Sequence, residues 1–218
     1  MKEGKLIVAP SILASDWAKF GEEIVAVEKA GADWIHIDVM DGRFVPPITF
    51  GADVVKVAKR VTALPLDVHL MIVEPERHIE TFASSGAASI SVHAEVSPHL
   101  HRTLQQIRAC GCKTGVALNP STPLVALLDI MQEIDTLLIM TVNPGWGGQK
   151  FIAPMLDKIR HAAAHIRQHN LNTRIEVDGG INAETAREAT AAGASILVAG
   201  TSIFQSKNYQ AAIASLRK

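Results

Sequence analysis

The chain has 218 residues, 48% of them apolar and 20% charged, enough to fill a sizeable core, and no apolar stretch approaches the roughly 20 residues of a membrane helix. Lys and Arg number 21 against 22 Asp and Glu, so the formal charge is −1 and no global positive field exists to hold a nucleic acid or an anionic membrane. A soluble protein that binds neither is expected.

In chain order, the opening MKEGKLIVAPSIL mixes charges of both signs and turns at once into a short apolar run, without the features of a signal peptide, which predicts a cytoplasmic protein. Near-continuous apolar runs follow at 6–9, 33–39, 66–71, 88–93, 114–118, 136–142, 174–178 and 195–199, as strands buried on both faces require. Amphipathic helical patterns lie between them. Examples are Trp17, Phe20, Ile24 and Val27 after an N-cap at Asp16, and Leu124, Leu127, Leu128 and Met131 after the start signal Ser121-Thr122-Pro123. Four helical stretches stop at a glycine just before an apolar run, at Gly31, Gly86, Gly111 and Gly193. Their spacing fits two, one and three units of about 27 residues, a helix-plus-strand length. Eight such units fill the chain. The alternation predicts a parallel sheet closed into a (β/α)₈ TIM barrel, one domain over 1–218, in preference to an open doubly wound sheet. Cys110 and Cys112, one residue apart, read as reduced packing residues.

Barrels of this kind carry their chemistry at the C-terminal ends of the strands. The second run places His36, Asp38 and Met40 on one face by the period of two, the third places His69 and Met71 likewise, and the seventh ends at Asp178. Two histidines and two carboxylates converging from three strands form a divalent-metal site suited to zinc, iron, manganese or cobalt. Taken alone, each histidine reads better as a core residue bonded to backbone. Together they favour the site, because an unpaired Asp inside a strand is costly. His93 ends the fourth run, either joining the site or supporting it structurally. Met40, Met71 and Met140 fall near strand ends, where they fill gaps or shape a water-poor pocket. Asn143-Pro144-Gly145-Trp146-Gly147-Gly148-Gln149 offers backbone N–H groups to an anion and a lid with Trp146 as its plug. With Gly179-Gly180 and Gly200-Thr201-Ser202 after the last two strands, it points to a phosphorylated substrate.

The segments APSIL (9–13), HIDVMDG (36–42), DVHLM (67–71), TVNPGWGGQKF (141–151), EVDGG (176–180) and VAGTSIF (198–204) resemble the ribulose-phosphate 3-epimerase family, in colinear order over essentially the whole chain. The resemblance implies a (β/α)₈ barrel holding one divalent metal ion per subunit, zinc foremost, that interconverts ribulose 5-phosphate and xylulose 5-phosphate. It implies that His36, Asp38, His69 and Asp178 ligate the metal, with Asp38 as proton acceptor and Asp178 as donor on the opposite face. Ser11, His69 and Asp178 would meet the substrate. Gly145, Trp146, Gly147, Gly148, Gly179, Gly180, Gly200 and Thr201 would surround its phosphate end, and Met40, Met71 and Met140 would border the intermediate. Trp146 stands where Phe is more usual, and Thr201 where Ser is. The rival readings are an epimerase of a ketohexose 6-phosphate and a non-catalytic sugar-phosphate binder. A Schiff-base aldolase needs a lysine inside a strand end, whereas Lys113 precedes the fifth run and Lys150 lies beyond the sixth. A phosphate-barrel decarboxylase needs a lysine among its carboxylates, and Asp38-Val39-Met40-Asp41 has none. A homo-oligomer is expected, as barrels commonly associate.

Overall fold

The computed structural model describes residues 5–218, so the first four residues of the stretch read for a signal peptide lie outside it. Eight parallel strands form one sheet: β1 (Ile7–Pro10), β2 (Ile35–Met40), β3 (Leu66–Met71), β4 (Ser89–His93), β5 (Lys113–Leu118), β6 (Thr136–Met140), β7 (Arg174–Asp178) and β8 (Ile196–Ala199). From β2 onward each strand pairs with the next in the chain, and β8 pairs with β1. The ring closes between β1 and β2 with few bonds. Asp33 and Trp34 donate their N–H groups to Val8 O at 2.9 and 3.4 Å, and one parallel bridge joins Ser11 to His36. This seam is the thinnest join in an otherwise continuous ladder.

Side chains at the bottom of the seam reinforce it. The Asp33 carboxylate accepts the Val8 N–H at 2.9 Å and pairs with Lys5, while Arg217 near the C-terminus donates to Leu6 O, Gly31 O and Asp33 Oδ2 at 2.9, 2.8 and 2.7 Å. Arg217→Ala is expected to cost about 1–2 kcal/mol in urea unfolding, because charge-assisted bonds to carbonyls are lost. Lys5→Ala, on the exposed pair, is expected to cost under about 0.5 kcal/mol. Equal loss in the two variants would show that the clamp does not hold the seam.

The helices are α1 (Phe20–Lys29), α2 (Ala52–Val61), α3 (Ile79–Ser84), α4 (Leu100–Ala109), α5 (Met155–Gln168), α6 (Ala183–Ala192), α7 (Thr201–Phe204) and α8 (Tyr209–Ser215). Their apolar faces and the outward faces of the strands make the main core. The glycines that mark the repeat, Gly31, Gly86, Gly111 and Gly193, all adopt positive φ, at 96°, 112°, 80° and 121°, the conformation that stops a helix without a Cβ penalty.

Several expectations shift. Asp16 caps a 3₁₀ turn at Trp17–Lys19 rather than α1 itself, and the change of coil rotates Trp17 outward, half exposed against Phe50, while Ile24 and Val27 stay buried. The segment Leu124–Glu133 is 3₁₀ throughout, not α. At about 2.0 Å per residue against 1.5 for an α-helix, its ten residues return the chain through about 20 Å. β6 ends at Met140 instead of 142; the Thr141 N–H still bonds to Asp178 O, while Thr141 O accepts from the Ile152 N–H of the loop that follows. Lys113 is the first residue of β5 rather than preceding it; its exposed ammonium pairs with Asp135, at the strand end away from the chemistry. Cys110 and Cys112 are free thiols, Cys112 buried against Ala87 O.

Candidate active site

Register brings the polar residues of β2 and β3 side by side. His36 lies opposite Asp67, Asp38 opposite His69, and Met40 opposite Met71, while on the other side of the barrel Met140 faces Asp178. His36, Asp38 and His69 are buried, and one ligand atom from each of them and from Asp178 falls within 4.8 Å of the others. Asp38 Oδ1 lies 3.3 Å from His36 Nε2 and 3.0 Å from His69 Nδ1. Tetrahedral ligands about 2.1 Å from an ion sit about 3.4 Å apart, so the spacing suits a shared cation. His36 Nδ1 donates to Asp67 Oδ2 at 2.7 Å, which leaves Nε2 buried in the group without a hydrogen-bond partner. A carboxylate bonded behind the ring is the usual preparation of a metal-binding imidazole, whose Nε2 proton a cation would displace.

The electrostatics call for positive charge at the same point. Burial opposes charging His36, but Asp38, Asp67 and Glu176 outweigh it and hold the imidazole well above its ordinary range. Asp38 is held well below the ordinary carboxylate range, because His36 and His69 overcome the burial that would raise it. Asp178 moves the other way, pushed up to about 7 by burial and by the charge on Asp38. Near neutrality the site thus holds one ionised carboxyl and one that is about half protonated.

Above the buried histidines opens a cleft of about 820 Å³. Ser11, Asp38, Met40, Met71, Met140 and Asp178 line its floor, and Gly145 to Gly148, Gly179, Gly180, Gly200 and Thr201 line its rim, so the residues expected to meet a ligand converge on one opening, except His69, which is fully buried and does not line it. Ser11 donates to Asp38 Oδ2 at 2.5 Å. Gln149 Nε2 ties down its own loop through Asn143 O and Trp146 O, at 2.6 and 2.9 Å, leaving Trp146 half exposed at the rim rather than plugging the mouth. His93 stands outside the four-residue group, with Nε2 2.9 Å from His69 Nε2.

The model of the ribulose-phosphate 3 epimerase family matches residues 7–204. A ribulose-phosphate 3-epimerase of Synechocystis is 53% identical over 97% of this chain and 93% of its own length. The chain belongs to the ribulose-phosphate 3-epimerase family. The Bacillus subtilis member is 52% identical over 96% of this chain and 97% of its own length, and the chloroplastic enzyme of Arabidopsis thaliana is 50% identical over 97% and 76%. More distant likenesses carry the fold alone. KGPDC from Streptococcus mutans superposes with a TM-score of 0.73 at 14% identity over 98% of this chain and 96% of its own. The tryptophan synthase A-subunit of Pyrococcus furiosus gives 0.71 at 15%, covering 97% of each. Among the described residues no helix is long and apolar enough to cross a membrane.

Sequence reasoning passed over Asp67, Glu176 and Glu95, although the first two sit inside the quoted family segments. The period of two that paired His36 with Asp38 also puts Asp67 on the face of His69 and Glu176 on the face of Asp178, one layer deeper. Glu176 Oε1 lies 3.4 Å from His36 Nδ1. Burial and the adjacent Asp67 charge raise Glu176, while Asp67 is lowered because the bond from His36 overcomes its burial.

Proposed function

We propose that the chain is a metal-dependent epimerase interconverting D-ribulose 5-phosphate and D-xylulose 5-phosphate at C3. The observation that carries this reading is the meeting of Asp38 on β2 and Asp178 on β7, three strands apart round the ring, in one group with two histidines. Epimerising a carbon beside a ketone removes its proton and returns one to the other face, so two acid–base groups on different walls are needed. Asp38 takes the C3 proton, and Asp178 delivers one to the opposite face; in reverse they exchange roles. His36, Asp38, His69 and Asp178 would hold one divalent ion per subunit, with zinc first and iron, manganese or cobalt as alternatives. Once bound, the ion supplies the Lewis acidity that favours negative charge on two adjacent substrate oxygens. Ser11 orients Asp38, and Met40, Met71 and Met140 keep water from the reacting carbon. Backbone N–H groups of Gly145, Gly147, Gly148, Gly179, Gly180, Gly200 and Thr201 meet the phosphate beside Trp146.

A coupled assay of ribulose 5-phosphate against allulose 6-phosphate, before and after chelator treatment, tests the reading. The pentulose is expected to be preferred, with activity lost on chelation and restored by zinc. Equal rates with and without chelator would overturn the metal, preference for the hexulose would overturn the substrate, and no deuterium uptake at C3 from D₂O would mark a binding protein. A cytoplasmic homo-oligomer completes the reading, and a monomeric mass by light scattering at micromolar concentration would refute the assembly.

A further inference from the structure

Resting on the metal reading above, the geometry points to Glu95 as a positioning residue that sets, through His93, which nitrogen of His69 presents its lone pair to the metal. Three contacts run in line outward from the site. His69 Nδ1 lies 3.0 Å from Asp38 Oδ1, His69 Nε2 lies 2.9 Å from His93 Nε2, and His93 Nδ1 lies 3.1 Å from Glu95 Oε2. The two facing Nε2 atoms share one proton, and each neutral imidazole carries only one. The protons therefore have two arrangements, and choosing one choice fixes them all. In the first, His93 Nδ1–H donates to Glu95, His69 Nε2–H donates to His93, and His69 Nδ1 turns a bare lone pair toward Asp38 and the ligand group. In the second every donor is reversed: a lone pair of His93 faces the carboxylate, and His69 Nδ1 carries a proton where the metal would sit.

An ionised carboxylate only accepts, so Glu95 selects the first arrangement. Asp38 pulls toward the second until a cation occupies its oxygen, so the two ends of the line compete. Glu95 is placed to win this contest. Its Oε1 accepts the Asn119 N–H at 2.8 Å and the Thr122 hydroxyl, and Lys158 Nζ anchors the same loop by donating to Asn119 O, Pro120 O and Thr122 O at 2.9, 2.9 and 2.7 Å. The Phe44 ring, 4.6 Å from His93 between centroids, covers the line from above. With Oε1 committed to two donors, only Oε2 is left to face His93.

That commitment makes Glu95→Gln informative. A glutamine that keeps its oxygen on the loop turns its NH₂ toward His93, and this donor drives the whole line into the second arrangement. Zinc affinity, measured by chelator competition, is expected to fall about 10–100-fold in Glu95→Gln. Thr122→Val, which loosens the loop but leaves the carboxylate, is expected to bind zinc as the wild type does. Nitrogen-15 spectra of the zinc-loaded wild type are expected to show His93 protonated at Nδ1 and His69 at Nε2, a readout that needs no variant to fold. Undiminished zinc affinity in Glu95→Gln, or His93 protonated at Nε2, would overturn the assignment. If the wild type binds zinc and epimerises while Glu95→Gln binds it equally well, only the positioning role fails. If the wild type takes up no zinc, the metal reading fails and this inference with it.

Discussion

Asp38→Asn and Asp178→Asn are each expected to lower turnover by about 10²–10⁴-fold, the range of a single positioned acid–base group. Asparagine keeps the shape and one oxygen of the carboxylate but cannot take or hold the proton. Solvent exchange separates the two roles. With ribulose 5-phosphate as the starting isomer, Asp178→Asn should still exchange the C3 hydrogen with D₂O without inverting the carbon, whereas Asp38→Asn should do neither. With xylulose 5-phosphate the pattern should reverse. Near-normal turnover in both variants with metal bound would remove the two-base assignment.

The second large effect is expected at Gly179, directly after Asp178. Its φ of 115° is one that residues with a Cβ rarely adopt, and a Cβ built there would lie 2.3 and 2.7 Å from the methyl carbons of the buried Val142. Gly179→Ala therefore combines backbone strain of about 1–2 kcal/mol with overpacking of about 1–3 kcal/mol, or about 2–5 kcal/mol of stability in all. The strain cannot be relaxed locally, because the Thr141 N–H donates to Asp178 O at 2.7 Å and the Thr141 hydroxyl lies 2.6 Å from Gly179 O. The peptide that follows Asp178 must move, and a shift of about 1 Å at a reacting group costs about 10²-fold in rate. Adding Val142→Ala is expected to recover the packing share of the stability and leave the backbone share. A Gly179→Ala protein that melts and turns over like the wild type would show that this glycine does not set the position of Asp178.

Strand positions and inward faces were legible in the sequence because parallel buried strands are written as unbroken apolar runs, and the few polar residues inside them, His36, Asp38 and His69, stand out against that background. The repeat showed through Gly31, Gly86, Gly111 and Gly193 for a conformational reason that needs no tertiary contact. What stayed hidden depends on which strands lie side by side. Asp67 and Glu176 belong to different strands, and only the closed ring brings both to His36. Glu95 looks like a solvated acid after a strand until the loop carrying Asn119 and Thr122 folds back onto it. The form of Leu124–Glu133 was misread because a 3₁₀ and an α segment share nearly the same apolar spacing.

The thin join between β1 and β2 has a consequence for ligand protection. The residues that would hold the cation lie to both sides of it: His36 and Asp38 form one lip, Ser11 extends the other, and Asp178 stands two strands further on. A barrel that breathes does so first where its ladder is weakest, so the Asp33 and Trp34 amides, which bond to Val8 O across the seam, should exchange with solvent ahead of those on β4 to β6. Occupancy of the site would then act as a rivet across this opening, slowing exchange at the gap far more than elsewhere in the ring.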